Sequence, residues 1–164
     1  LVLFVCTGNT CRSPMAEAIG KHLLRDQDEH LSTPPAVRVR VASAGVAAFE
    51  SDEPTPEGVR ALKDLGVAIV PGRSKRLTRE MVEEADAIFT MTRGHRREVL
   101  AMLPHAAEKV VELDPSGDVP DPIGSPQDVY SETASRLYEL VRVRLLEQGA
   151  AIVPHKAIEV VQPE

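Results

Sequence analysis

The chain has no tryptophan and only five aromatic residues, three Phe and two Tyr, in 164 positions. A binding pocket walled by stacked aromatic rings therefore has little to draw on. Cysteine is confined to Cys6 and Cys11. Two thiols five positions apart are no disulfide framework, and no histidine stands at ligand spacing to make them a zinc site. The five histidines, His22, His30, His95, His105 and His155, share no ligand spacing either and read as surface or packing residues. Positive charge is in deficit, with 19 Lys and Arg against 25 Asp and Glu and a net charge of −6, which argues against a general affinity for nucleic acid. Apolar runs such as residues 1–6 are too short to span a bilayer, and no basic segment precedes that run to make it a signal peptide. What is present is 43% hydrophobic residues, enough for one domain without disulfides or a structural metal. The expectation is a cytoplasmic, membrane-free protein.

Residues 1–5 form a continuous apolar run that suits a strand buried on both faces. A helix follows, with Ser13 as its expected N-cap, Pro14 as its first residue, and Met15, Ala16, Ile19 and Leu23 as its apolar stripe. Residues 26–35 are polar and end in Pro34-Pro35, which predicts a loop; residues 37–42 alternate Val with Arg38 and Arg40, which predicts a strand near the sheet edge. Thr55-Pro56 opens a second helix that stops at Gly66, and Thr78 caps a third. Strands are expected at 86–91 and 109–113, helices at 93–103 and 127–148, and a long loop rich in Pro, Gly and Asp at 114–126. Strand–helix alternation implies parallel strands joined by right-handed crossovers, an open doubly wound α/β domain. Residues 1–148 make that domain, and 149–164 remain as a tail of unknown role.

The segment Cys6-Thr7-Gly8-Asn9-Thr10-Cys11-Arg12-Ser13 carries the chemistry. In an open α/β sheet the ligand lies outside the carboxyl ends of the strands, and Cys6 falls at the end of the first one. The amides of the loop and the helix start can converge on a tetrahedral oxyanion and favour a negative sulfur. Ser13 is placed to donate to that sulfur, and the planar fork of Arg12 can grip two phosphoryl oxygens. The parts suit an anion site with a nucleophile at its base. A buried core cysteine with an unrelated arginine is the plainer alternative, and the strand before and the Ser13-Pro14 helix opening after weigh against it.

The stretch LFVCTGNTCRSPMAE, residues 3–17, resembles the active-site segment of low-molecular-weight protein tyrosine phosphatases, and more narrowly that of their bacterial protein-arginine-phosphatase branch. The likeness continues through Ser43-Ala44-Gly45-Val46, Leu77-Thr78, Glu84-Ala85-Asp86 and Met91-Thr92 to the segment 118–124 around Asp121-Pro122. The resemblance implies a four-stranded parallel sheet of order 2-1-3-4 with helices on both faces. It implies metal-free hydrolysis of a phosphorylated protein through a phosphocysteine, with inorganic phosphate as product, no cofactor, and a monomeric enzyme. Cys6 then attacks phosphorus, Arg12 and the amides of residues 7–13 hold the transferring group, and Asp121 protonates the leaving atom. Asp118 is a nearby competitor for the acid role. Asn9, Ser13 and Ser43 would support the loop.

Specificity rests on fewer residues. Thr10 stands where tyrosine-directed relatives usually carry an isoleucine-like residue, and threonine there is associated with the arginine-directed branch. Ile123 replaces an aromatic wall, which leaves Phe49 as the remaining candidate for one. Each of these also has an ordinary loop role open to it. Phosphoarginine is the favoured substrate, phosphotyrosine the alternative. Gly72 departs from a histidine common in the family, and Arg73, Lys75 and Arg76 beside it read as well as a solvated basic turn. Cys11 is expected near Cys6, which suggests either a reversible Cys6–Cys11 disulfide under peroxide, formed from an exposed thiolate, or an inert loop thiol. Arsenate reduction would need a relay of further cysteines, and none follows Cys11; a phosphoprotein-binding module without catalysis would be expected to have lost Cys6, Arg12 or Asp121.

Overall fold

All five residues of the first strand, β1 (Val2–Cys6), are buried, and their alternation divides the core in two. Val2, Phe4 and Cys6 face one cluster with Met15, Ile19, Leu62, Leu137 and Val141. Leu3 and Val5 face another with Val82, Ile88, Val99, Leu103 and Val110. A strand covered on both faces has no polar side to show, which is why its sequence is apolar throughout.

The computed structural model describes residues 1–29, 38–69 and 72–150. After β1 come α1 (Arg12–Glu29), β2 (Val41–Gly45), α2 (Pro56–Asp64), α3 (Arg79–Glu84), β3 (Ala87–Thr90), α4 (Arg93–Met102), a 3-10 segment (Pro104–Lys109), β4 (Val110–Glu112) and α5 (Gln127–Glu147). The four strands are parallel in the order β2-β1-β3-β4, with α1, α2 and α5 packed on one face and α3 and α4 on the other. This is the expected doubly wound architecture. The chain leaves β1 toward β2 and then crosses back to β3, so the switch point lies between the carboxyl ends of β1 and β3.

Local expectations fare unevenly. Thr78 caps α3 by accepting from Met81 N at 3.2 Å, and Gly66 closes α2 with φ at +73°. Thr55 holds the N-cap place of α2 without a side-chain capping bond. Ser13 is not the N-cap of α1: the helix begins at Arg12, and the Ser13 hydroxyl turns toward Cys6 and Asn9 instead. The loop expected from 26 is helical to Glu29, since polar residues without Gly or Pro do not stop a helix; 30–35 lie outside the described residues. The edge strand starts at Val41 rather than 37, because β2 is paired from Val2↔Val41 to Cys6↔Gly45 and begins where its partner does; residue 37 lies outside the described residues. So do 151–164, nearly all of the tail. Among the described residues no helix is long and apolar enough to cross a membrane.

Candidate active site

Cys6 ends the central strand at the switch point, only 2% exposed, and the chain turns over it through residues 7–11 into α1. Asn9 takes the left-handed conformation, φ +53°, that lets the loop close this tightly. The backbone N–H groups of residues 8–13 have no acceptor among the described residues. Neighbouring elements fix the loop from outside. Val46 N donates to Cys6 O at 3.0 Å, Ala47 N to Thr7 O at 3.0 Å, and Thr55 N to Thr10 O at 2.9 Å. Gly45 admits this approach: a Cβ there would lie 2.4 Å from Thr7 O and 2.8 Å from Asn9 N.

A buried polar network holds the inside. Asn9 Nδ2 donates to Ser13 Oγ and Ser43 Oγ, each at 2.9 Å, while Asn9 Oδ1 accepts from Lys75 N at 2.8 Å. Ser43 Oγ in turn donates to Glu17, which also accepts from Lys21 Nζ at 2.6 Å. Ser13 Oγ lies 2.9 Å from Cys6 Sγ, with Ala44 O the more distant acceptor at 3.4 Å. The two serines and the asparagine expected to support the loop are thus brought together, beneath the sulfur. Glu17 and the backbone of Lys75 complete the network, and sequence reasoning misses both, although Glu17 lies inside the stretch that carries the resemblance.

Arg12 is buried and reaches across the crevice to the 114–126 loop. Its Nη1 donates to Val119 O at 2.9 Å and its Nη2 to Asp121 Oδ2 at 2.6 Å, while Nε is buried without a partner. Asp121 is 40% exposed by its side chain and also accepts from Ile123 N at 3.2 Å. Asp118, the competing acid, is drawn off to Arg93, accepting from its backbone N at 2.9 Å. Of the two carboxylates, Asp121 is the one on Arg12.

Of the surface and packing roles expected for His95, the structure excludes the first. His95 is buried, its Nε2 2.8 Å from Thr7 Oγ1 and its Nδ1 3.0 Å from Thr92 Oγ1. Burial, and then the neighbouring Arg12 charge, push the ring down from 6.5 to about 4, with Asp121 and Asp118 pulling weakly the other way. The ring is neutral at physiological pH. Cys11 is buried beside Tyr130 and Thr55; burial and then the Asp121 charge push its thiol up to about 12. Cys6 and Cys11 are free thiols, and neither is the exposed sulfur that the redox expectation pictured. Tyr130 packs in the core.

The specificity candidates lie at the surface. Thr10 is half-buried, with its hydroxyl 3.5 Å from where a Cβ on Gly8 would stand. Phe49 is 79% exposed, on a segment that Ser74 Oγ fastens by donating to Phe49 O; Ile123 is 61% exposed beside Asp121. Among the described residues no group of three or more His, Cys, Asp or Glu is placed to hold a metal ion.

The family model described as low molecular weight phosphotyrosine protein phosphatase matches residues 1–151. A relative named protein-arginine-phosphatase, from Bacillus subtilis (strain 168), is 38% identical over 146 residues, covering 86% of this chain and 91% of its own length. A solved structure of an arginine phosphatase, a Cys-to-Ser mutant with a phosphorylated active-site serine, superposes with a TM-score of 0.78 at 37% identity, covering 90% of this chain and 93% of that one. The low molecular weight protein tyrosine phosphatase from T. tengcongensis gives 0.79 at 37% identity, over 90% and 97% of the two chains. With the sheet order, the loop over Cys6 and the Arg12–Asp121 pair already in place, these likenesses establish that the chain belongs to the low-molecular-weight protein tyrosine phosphatase family.

Proposed function

We propose that this protein hydrolyses phosphorylated side chains of proteins through a phosphocysteine, with residues 1–148 as the catalytic domain. The observation that carries the reading is Arg12: a buried guanidinium spans from the amide-lined loop to Asp121 and keeps one N–H, on Nε, without a partner. A buried donor left unpaired is costly, and a phosphoryl oxygen in the loop would satisfy it together with the free amides. In the first step Cys6 Sγ attacks phosphorus in line, the S–P bond forms, and the bond to the leaving oxygen or nitrogen breaks as Asp121 gives that atom its proton. Ser13, at 2.9 Å, donates to the sulfur while it is an anion. In the second step water attacks phosphorus, its proton passes to Asp121, and the S–P bond breaks to release inorganic phosphate. Arg12 and the amides of residues 7–13 bear the charge that grows on the equatorial oxygens in both steps. No cofactor takes part. Hydrolysis of para-nitrophenyl phosphate, blocked by vanadate and indifferent to EDTA, is the first test; absence of turnover contradicts the reading.

The substrate class we propose is phosphoarginine. The arginine-directed relative supports it, as does the short, hydroxyl-bearing Thr10 beside the loop, which leaves polar room for a planar guanidinium. The exposed Phe49 is what favours the second reading, phosphotyrosine, because a ring at the rim can pack on a phenyl group. Side-by-side kinetics on phosphoarginine and phosphotyrosine peptides separate them. Thr10→Ile is expected to move the kcat/KM ratio toward phosphotyrosine by about tenfold; an unchanged ratio removes the specificity argument and leaves the phosphatase one standing. The reading includes a monomeric, cytoplasmic enzyme, in keeping with two free thiols. Burial of both thiols favours the inert reading of Cys11; a Cys6–Cys11 disulfide after peroxide treatment would restore the redox one, and a stable sulfinic acid on Cys6 with Cys11 untouched would exclude it.

A further inference from the structure

The corner between β3 and α4 touches both halves of the site. Met91 N donates to Val5 O at 3.0 Å, one residue before Cys6, and Met91 O accepts from Val119 N at 2.8 Å, in the loop that carries Asp121. Two residues on, Arg93 N holds Asp118. His95 extends the same corner toward the nucleophile. Its backbone N donates to Thr92 Oγ1 at 3.1 Å, its Nδ1 lies 3.0 Å from that same hydroxyl, and its Nε2 lies 2.8 Å from Thr7 Oγ1. Thr7 is exposed and belongs to no core cluster. Its carbonyl is tied to the β2 side through Ala47 N, and its hydroxyl to the β3 side through His95. The first bond orients the Thr7–Gly8 peptide, and the second holds the Thr7 side chain against the β3–α4 corner.

Packing alone does not call for a histidine here. A leucine or methionine would fill a buried position on α4 without desolvating two polar ring nitrogens. The ring is accommodated because both nitrogens are bonded, one to each side of the crevice.

We propose that His95 is a positioning residue for phosphoryl transfer: through Thr7 it holds the first peptide of the phosphate loop in register with the segment bearing Asp121. This rests on the phosphatase reading above. The effect belongs to the transition state, where a small displacement of sulfur or amides is most costly, so it falls on kcat rather than KM. The groups facing the ring are Thr7 and Thr92 by hydrogen bond and Arg12, Asp118 and Asp121 by charge.

The test uses the whole protein and para-nitrophenyl phosphate, with His95→Ala, His95→Gln, Thr7→Val and the double variant His95→Ala/Thr7→Val. The expected result is a fall in kcat of about 10- to 100-fold for His95→Ala and for Thr7→Val, with KM within about twofold. The double variant loses no more than either single one, because both remove the same bond. His95→Gln, whose amide can reach Thr7, recovers part of the loss, which a role confined to packing would not produce. Thr7→Val keeps the test decisive should His95→Ala fail to fold, since it cuts the bond from the exposed end. An active wild type with unchanged kcat in Thr7→Val, or with losses that multiply in the double variant, overturns the positioning role alone. A wild type without turnover overturns the phosphatase reading, and this inference with it.

Discussion

The two halves of the site are built differently. The Cys6 half is a closed cup: Asn9, Ser13 and Ser43 are buried, each bonded to another, and the loop above them is tied to β2, α2 and the Lys75 segment. The Asp121 half is a surface loop with a carboxylate 40% exposed, joined to the body through Val119 and through Arg12 itself. A nucleophile and its oxyanion donors act by being held in place beforehand, so burial and redundancy serve them. An acid that must meet substrates, give up a proton and take one back needs access to solvent and to the leaving group. Arg12 joins the halves. Asp121 sits on its Nη2 at 2.6 Å, so on the proposed reading a phosphoryl group entering the cup would compete with that carboxylate for the fork.

Substitutions that act on one half alone sharpen this contrast. Asp121→Asn leaves the cup intact, so kcat is expected to fall about 10²- to 10⁴-fold on substrates with poor leaving groups, and less on para-nitrophenyl phosphate, whose leaving group needs little protonation. Stability should change by less than about 1 kcal/mol, since the residue is near the surface; an equal loss on both substrates would deny it the acid role. Asn9→Ala strikes the other half. It removes three hydrogen bonds and puts alanine at φ +53°, and the expected cost is about 3–5 kcal/mol in denaturant unfolding together with a fall in kcat. Retained stability would mean that the cup is less tightly built than its bonds suggest.

A smaller effect appears with pH. The folded protein holds His95 at about 4 rather than 6.5, so the unfolded chain binds the extra proton between those values. Stability from this group is complete above about 6.5 and is lost as pH falls toward 4, by about 3 kcal/mol in all. Arg12, Asp118 and Asp121 face the ring and set the window. Carboxylates also titrate on the acid side, Asp114 below its usual range as the Ser116 and Arg136 bonds outweigh burial, so the informative quantity is the difference between wild type and His95→Gln. That difference should vary between pH 6.5 and 4; a constant difference would contradict the buried neutral ring.

What the sequence made legible follows the range of the forces involved. The buried strand at 1–5, the capping Thr78, the terminating Gly66 and the strand–loop–helix around Cys6 are local patterns, and each is present. Ser13 shows where local reasoning ends: as a serine before proline it signals an N-cap, but the sulfur and Asn9 claim its hydroxyl and the helix starts a residue earlier. β2 shows the same at the level of the sheet, its limits set by pairing with β1 and not by the Val–Arg alternation at 37–42. His95 and Glu17 were illegible as site residues because their partners, Thr7 and Ser43, are distant in sequence and no spacing rule joins them. The candidate nucleophile and arginine could be named from the segment 6–13 itself, while the candidate acid, Asp121, came through the resemblance. Folding brings Arg12 and Asp121 within 2.6 Å of each other.

The most direct measurement is made on Cys6→Ser incubated with radiolabelled phosphorylated substrate, then digested and mapped. The oxygen ester that this variant would form is harder to hydrolyse than a sulfur–phosphorus bond. The expected result is label retained on the peptide carrying position 6, with release of phosphate reduced to background. Wild-type turnover by Cys6→Ser, or label found only on another residue, would contradict transfer through the sulfur of Cys6.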